Sequence, residues 1–150
     1  MEPESVPAAE REFEKALAAL AEEECVAAMA HLEKALKLDD HPGWYSFLGY
    51  CIAKERGQVK KGIELCRAAL MHESNNPDHY YNLGRIHLLA GNKEEALGAF
   101  RQGVAEGGSP ELVKLLEEIG TRKPPLISFL HRDNPLNTYL GLILSRLGLR

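Results

Sequence analysis

Small or apolar residues recur every 34 positions along this chain. Ala28, Gly62 and Ala96 form one series, Leu32, Cys66 and Phe100 a second, and Ala35, Ala69 and Gly103 a third. Three series in phase predict copies of one helical hairpin, because a unit this short leaves an apolar face open and buries it only against its neighbours. Small residues are expected where two antiparallel helices approach closely, with bulky ones such as Leu32 and Phe100 filling the space beside them. The predicted fold is all-α.

A second element recurs upstream. In YSFLGYCIAKERG and YYNLGRIHLLAG an aromatic precedes a Leu-Gly pair by three residues, Tyr45 before Leu48-Gly49 and Tyr80 before Leu83-Gly84. These pairs are 35 apart whereas Gly57 and Gly91 are 34 apart, so one extra residue falls before Gly57, where a turn is expected to absorb it. The set Tyr80, Leu83, Gly84, Ala96 and Phe100 resembles the tetratricopeptide repeat (TPR). That resemblance implies an α-solenoid of antiparallel helix pairs, with repeats at 9–41, 42–76 and 77–108. The middle repeat departs from the pattern, with Gly62 in the usual alanine place and Cys66 in that of the large aromatic, so looser or compensated packing is expected there. In the first, degenerate repeat Ala16 takes the glycine's place.

Stacked hairpins need a cap with a polar outer face. SPELVKLLEEIG supplies one at 109–120: Ser109 is a good N-cap, Pro110 suits the first helical position, Leu112, Leu115, Leu116 and Ile119 form an apolar stripe, and Gly120 ends the helix. Beyond it lie a linker and an apolar tail helix. The linker carries Leu126, Ile127, Phe129 and Leu130, each worth roughly 1.5–3 kcal/mol when taken out of water, so the tail is expected to fold back on the last helices. Its alternatives are a contact with a neighbouring chain and occupation of the chain's own groove as an internal ligand. The ending PLNTYLG also resembles the tails of small bacterial repeat proteins. At 150 residues, 45% hydrophobic and 27% charged, the chain 1–150 reads as a single soluble domain.

Several functional classes drop out. HRD at 131–133 looks like a kinase catalytic loop, but Thr138 stands where the loop's asparagine belongs and no glycine-rich phosphate loop or DFG is present. Asn134 and Pro135 read instead as a helix N-cap and first turn. No nucleophile elbow or paired-carboxylate signature appears, so no catalytic residue is expected and the chain reads as a non-enzyme. Cys25, Cys51 and Cys66 are too irregular for a disulfide framework or a metal knuckle and read as core residues. The six histidines, His72, His79 and His87 among them, lack ligand spacing; surface or groove imidazoles are expected, with no metal and no cofactor.

Charge is uneven: residues 1–24 hold eight Glu against Arg11 and Lys15, and 121–150 hold five Arg/Lys against Asp133. Without a dense basic run or interleaved aromatics the basic end does not read as a nucleic-acid surface. The acidic, proline-containing start lacks the pattern of a secretory signal, which makes a cytoplasmic location the expectation.

Function is then expected on the concave groove that the resemblance implies, lined by the first helix of each repeat and receiving an extended peptide or a partner helix. Carried over by position, the lining is Phe13, Leu17 and Leu20, then Ser46, Phe47, Tyr50 and Lys54, then Tyr81, Asn82, Arg85 and Leu89. Aromatic faces, one amide and two cations suit backbone hydrogen bonds plus an acidic group on a protein or peptide partner. Some family members clamp a C-terminal carboxylate; Asn82 fits one clamp position, while Ser46 and Leu17 occupy others. The expected function is a non-catalytic adaptor. Alternatives are a self-assembling homo-oligomer joined through 126–147 and a peripheral membrane module anchored by the same tail.

Overall fold

The computed structural model describes residues 6–121. Among them are seven α-helices, α1 (Ala8–Ala21), α2 (Cys25–Leu38), α3 (Tyr45–Arg56), α4 (Val59–His72), α5 (Pro77–Leu89), α6 (Lys93–Ala105) and α7 (Pro110–Thr121), with a short 3-10 helix, Pro42–Trp44, ahead of α3. The described residues contain no strand. The architecture is all-α and TPR-like: α1 packs on α2, α3 on α4 and α5 on α6 across short turns. Contacts divide the chain into two compact units, Met1–Ser74 and Asn75–Arg150.

Backbone conformation marks the repeat as clearly as the side chains do. Glu23, Gly57 and Gly91, each 34 residues from the next, close the first helix of a pair with φ of 59°, 69° and 82°. Glycine enters this left-handed region at little cost, whereas a residue with a Cβ is strained there. The degenerate first repeat therefore keeps the corner geometry without the residue that suits it.

The extra residue of the middle repeat is not in the turn, contrary to expectation. α3 continues to Arg56 and has Gly57 directly as its C-cap, with Gly57 N–H on Ala53 O and Gln58 N–H on Ile52 O. α5 stops at Leu89, and its corner is tied by Gly91 N–H to Leu88 O and Asn92 N–H to His87 O. α1 ends as α5 does, with Glu23 N–H on Leu20 O and Glu24 N–H on Ala19 O. The insertion sits in the last turn of α3, where one more helical residue costs no hydrogen bond and changes only the cap.

In the first unit Ala16, Ala28, Leu32, Ala35, Cys66 and Ala69 are completely buried. Ala16 thus does take the close-packing place of the missing glycine. Where the middle repeat lacks the aromatic, backbone comes to backbone: a Cβ on Gly49 would lie 2.7 Å from Gly62 O. The substitution of Gly62 and Cys66 is compensated by closer approach, not by loosening. All three cysteines are buried.

The second unit is built on Phe100, fully buried with Leu88, Ala96, Leu97, Leu112 and Ile119, and flanked by Tyr81, Val104, Leu115 and Leu116. α7 begins as its sequence predicts, Leu112 N–H donating to Ser109 Oγ at 3.2 Å, and closes over this cluster with Leu112 and Ile119. The expected tail helix, the linker residues 126–130 and the Asn134-Pro135 cap lie outside the described residues.

Candidate partner-binding surface

In the second unit α5 carries the expected residues, and its start is well specified. Asn76 Oδ1 accepts the Asp78 N–H at 2.9 Å, and Pro77 occupies the first turn, where it needs no donor. One turn on, Tyr81, Asn82 and Arg85 form a single arrangement. The guanidinium carbon of Arg85 lies 4.3 Å from the centroid of the Tyr81 ring, and Nη2 donates to Asn82 Oδ1 at 2.7 Å. Tyr81 leans on Phe100 with centroids 6.2 Å apart. The cation is half-buried and held from two sides, while Asn82 itself is buried and Leu89 half-buried. Beside them a cleft of about 270 Å³ is lined by Pro77, Asp78, Tyr81, Ser109, Glu111 and Leu112.

In the first unit α3 holds Ser46, Phe47, Tyr50 and Lys54. Ser46 and Tyr50 are buried, so both belong to packing; the Ser46 carbonyl accepts from Cys66 Sγ at 3.9 Å. Phe47 and Lys54 are half-buried, with Lys54 Nζ 3.6 Å from Cys25 Sγ. Phe13 of α1 meets Phe47 edge-on at 5.3 Å, Leu20 is half-buried, and Leu17 is more than a third exposed.

Trp44 is the residue that sequence reasoning passed over. It is buried, stacked on Phe13 at 4.8 Å and 11°, and on His41 at 4.8 Å and 18°, and thereby joins α1 to the start of α3. The available signal was a lone tryptophan in HPGWYSFLG, one residue before the aromatic that was recognised.

A charged cluster ties α1 to α2. Glu12 Oε1 is 2.9 Å from His31 Nδ1, and Oε2 is 3.3 Å from Lys15 Nζ and 3.9 Å from Lys34 Nζ. The hydrogen bond from His31, with help from both lysines, outweighs partial desolvation and holds the Glu12 carboxyl below the usual carboxylate range. Next to it a wide cleft of about 640 Å³ runs along α2, lined by Ala30, His31, Glu33, Lys34, Leu36, Lys37 and Leu48.

Two histidines correct the expectation of surface or groove imidazoles. His79 is completely buried and His87 is buried as well, the first at the start of α5 and the second in its last turn. His31 and His41 are half-buried, and His131 lies outside the described residues. Among the described residues no three His, Cys, Asp or Glu side chains come together as a metal-ligand set, and no helix is long and apolar enough to cross a membrane.

These features define a class, the helical-repeat proteins. Residues 53–119 match the family model of the tetratricopeptide repeat, in keeping with the TPR-like fold of the described residues. It is similar to the crystal structure of the Sgt2 TPR domain from Aspergillus fumigatus, with a TM-score of 0.63 and 22% identity over 85% of this chain and 83% of that one. At that identity the likeness speaks for the fold. No curated protein matches the sequence.

Proposed function

We propose that this chain is a non-catalytic adaptor that binds a peptide or partner protein through faces carried by α3 and α5. The observation that carries the reading is the arrangement of Tyr81, Asn82 and Arg85. A cation laid on a ring and fixed by an amide has already lost most of its rotamer freedom, so a partner's acidic group meets a charge that is in place beforehand. On α3, Phe47 and Lys54 are also half-buried, an aromatic and a cation, though Phe47 meets Phe13 and Lys54 lies against Cys25 Sγ. Support also comes from the TPR fold, which serves other proteins chiefly as a scaffold for interaction.

The test is a selection of peptides on the full chain, followed by calorimetric titration of the selected sequences against wild type, Arg85→Gln, Lys54→Gln and Phe47→Ala. Circular dichroism establishes that each variant is folded. The expected result is acidic consensus peptides and at least a tenfold loss on Arg85→Gln, which is about 1.4 kcal/mol. Failure to select any peptide, or equal binding by all folded variants, refutes the reading. The alternative of assembly through 126–147 concerns residues outside those described.

A further inference from the structure

The short 3-10 helix before α3 is capped by a titratable side chain. His41 Nδ1 accepts the Gly43 N–H at 3.0 Å, and the same ring stacks on Trp44. A backbone N–H can only donate, so the accepting nitrogen carries a lone pair and the imidazole is neutral, its proton on Nε2. The fit leaves no slack: Gly43 is buried, and a Cβ there would lie 2.8 Å from His41 Cε1 and 2.9 Å from Glu73 Oε2.

We infer that His41 is a pH-sensitive latch on the α1–α3 junction, closed when neutral and released by protonation. A proton added to the neutral ring goes to Nδ1. It then faces the Gly43 N–H donor to donor, and capping and protonation exclude each other. Release of the cap frees the turn that sets Trp44 between its ring partners, and Trp44 is what Phe13 of α1 stacks on.

Titratable groups of two other elements lie near the ring and its turn. Asp40 on the same loop accepts from the Tyr45 hydroxyl, and Glu73 after α4 brings Oε2 to within 2.9 Å of where a Cβ on Gly43 would lie. His72 of α4 meets His41 edge-on at 5.5 Å. α1 presents the uncharged Phe13 to the stack. The Gly43 contact is what makes a proton on the ring consequential. Phe13 and Phe47 would both lose their register, so acid would weaken capture by the first unit; that consequence rests on the proposed function, whereas the latch does not.

Trp44 is the only tryptophan in the chain, which makes its fluorescence a direct reporter. The experiment follows emission and acrylamide quenching on the full chain from about pH 8 to about pH 5, the interval in which an imidazole takes up its proton, with far-ultraviolet circular dichroism alongside. The expected result is a reversible rise in quenching while helicity stays constant. His41→Asn, whose side chain still caps but does not titrate, loses the transition, and His72→Asn keeps it. Nitrogen chemical shifts of the wild-type imidazoles provide a reading independent of any variant: His41 should be the Nε2–H tautomer at the alkaline end. The latch is overturned by the Nδ1–H tautomer there, by a transition that survives in His41→Asn, by flat quenching in wild type, or by a transition that coincides with loss of helix.

Discussion

A Cβ on Gly84 would lie 2.3 Å from Cε1 of Phe100, so α5 rests directly on the ring that fills the core of the second unit. Neither ring nor backbone can yield without disturbing Leu97 and Leu112. Gly84→Ala is expected to cost about 1–3 kcal/mol by overpacking. Urea unfolding followed by circular dichroism measures this, and adding Phe100→Leu should recover part of the loss. Gly98, in mid-α6 with open space around its Cβ position, should behave oppositely. Gly98→Ala is expected to stabilise by about 0.5–1 kcal/mol, because only chain entropy changes.

Glu23 holds a left-handed corner that Gly57 and Gly91 hold in the other repeats. Removing its Cβ relieves the strain, and Glu23→Gly should raise stability by about 1 kcal/mol. Gly57→Ala should lower it by a similar amount, since nothing crowds that position and only the backbone is at stake. Thermal melts of the two variants should move in opposite directions.

Glu12 sets the acid limb of the first unit. Its carboxyl titrates below the usual range in the folded chain, so the stabilisation is fully present above the unfolded value and is lost as pH falls through the folded one. Glu12→Gln should flatten that limb and leave stability near neutrality less affected by further acidification. A pH series of denaturant midpoints for both proteins decides it. This limb lies below the imidazole range and is separable from the His41 transition.

Tyr45 acts at the other end of the scale. Its hydroxyl donates to Asp40, and the neighbouring carboxylate pushes the phenol above its ordinary value. The stabilisation is present below the unfolded phenol value and disappears as pH rises through the raised one. Spectrophotometric titration should show a late phenol that is absent from Tyr45→Phe.

Much of the fold was legible because repetition writes each packing decision more than once. Ala28, Gly62 and Ala96 announced the helix approaches, and Ser109-Pro110 announced α7. The insertion was misplaced because spacing locates an extra residue only between two landmarks, here Gly49 and Gly57; whether helix or turn takes it depends on which cap forms. Of the candidate surface, Tyr81 and Arg85 could be named from position. That Asn82, Ser46 and Tyr50 are buried could not, because position within a repeat says which way a residue points and not how closely the next helix lies. Trp44 escaped because it belongs to the 3-10 helix, outside the repeating frame, and His79 and His87 because a histidine's polarity gives no sign of how deeply it packs.

The left-handed corners at 23, 57 and 91 have a kinetic meaning. Each reverses the chain within two or three residues, so each of α1 to α6 meets its pair partner after closing a very short loop, and little chain entropy is lost before the first contacts form. Such contacts place the chain among fast folders, with each pair able to start the process and its neighbours to complete it.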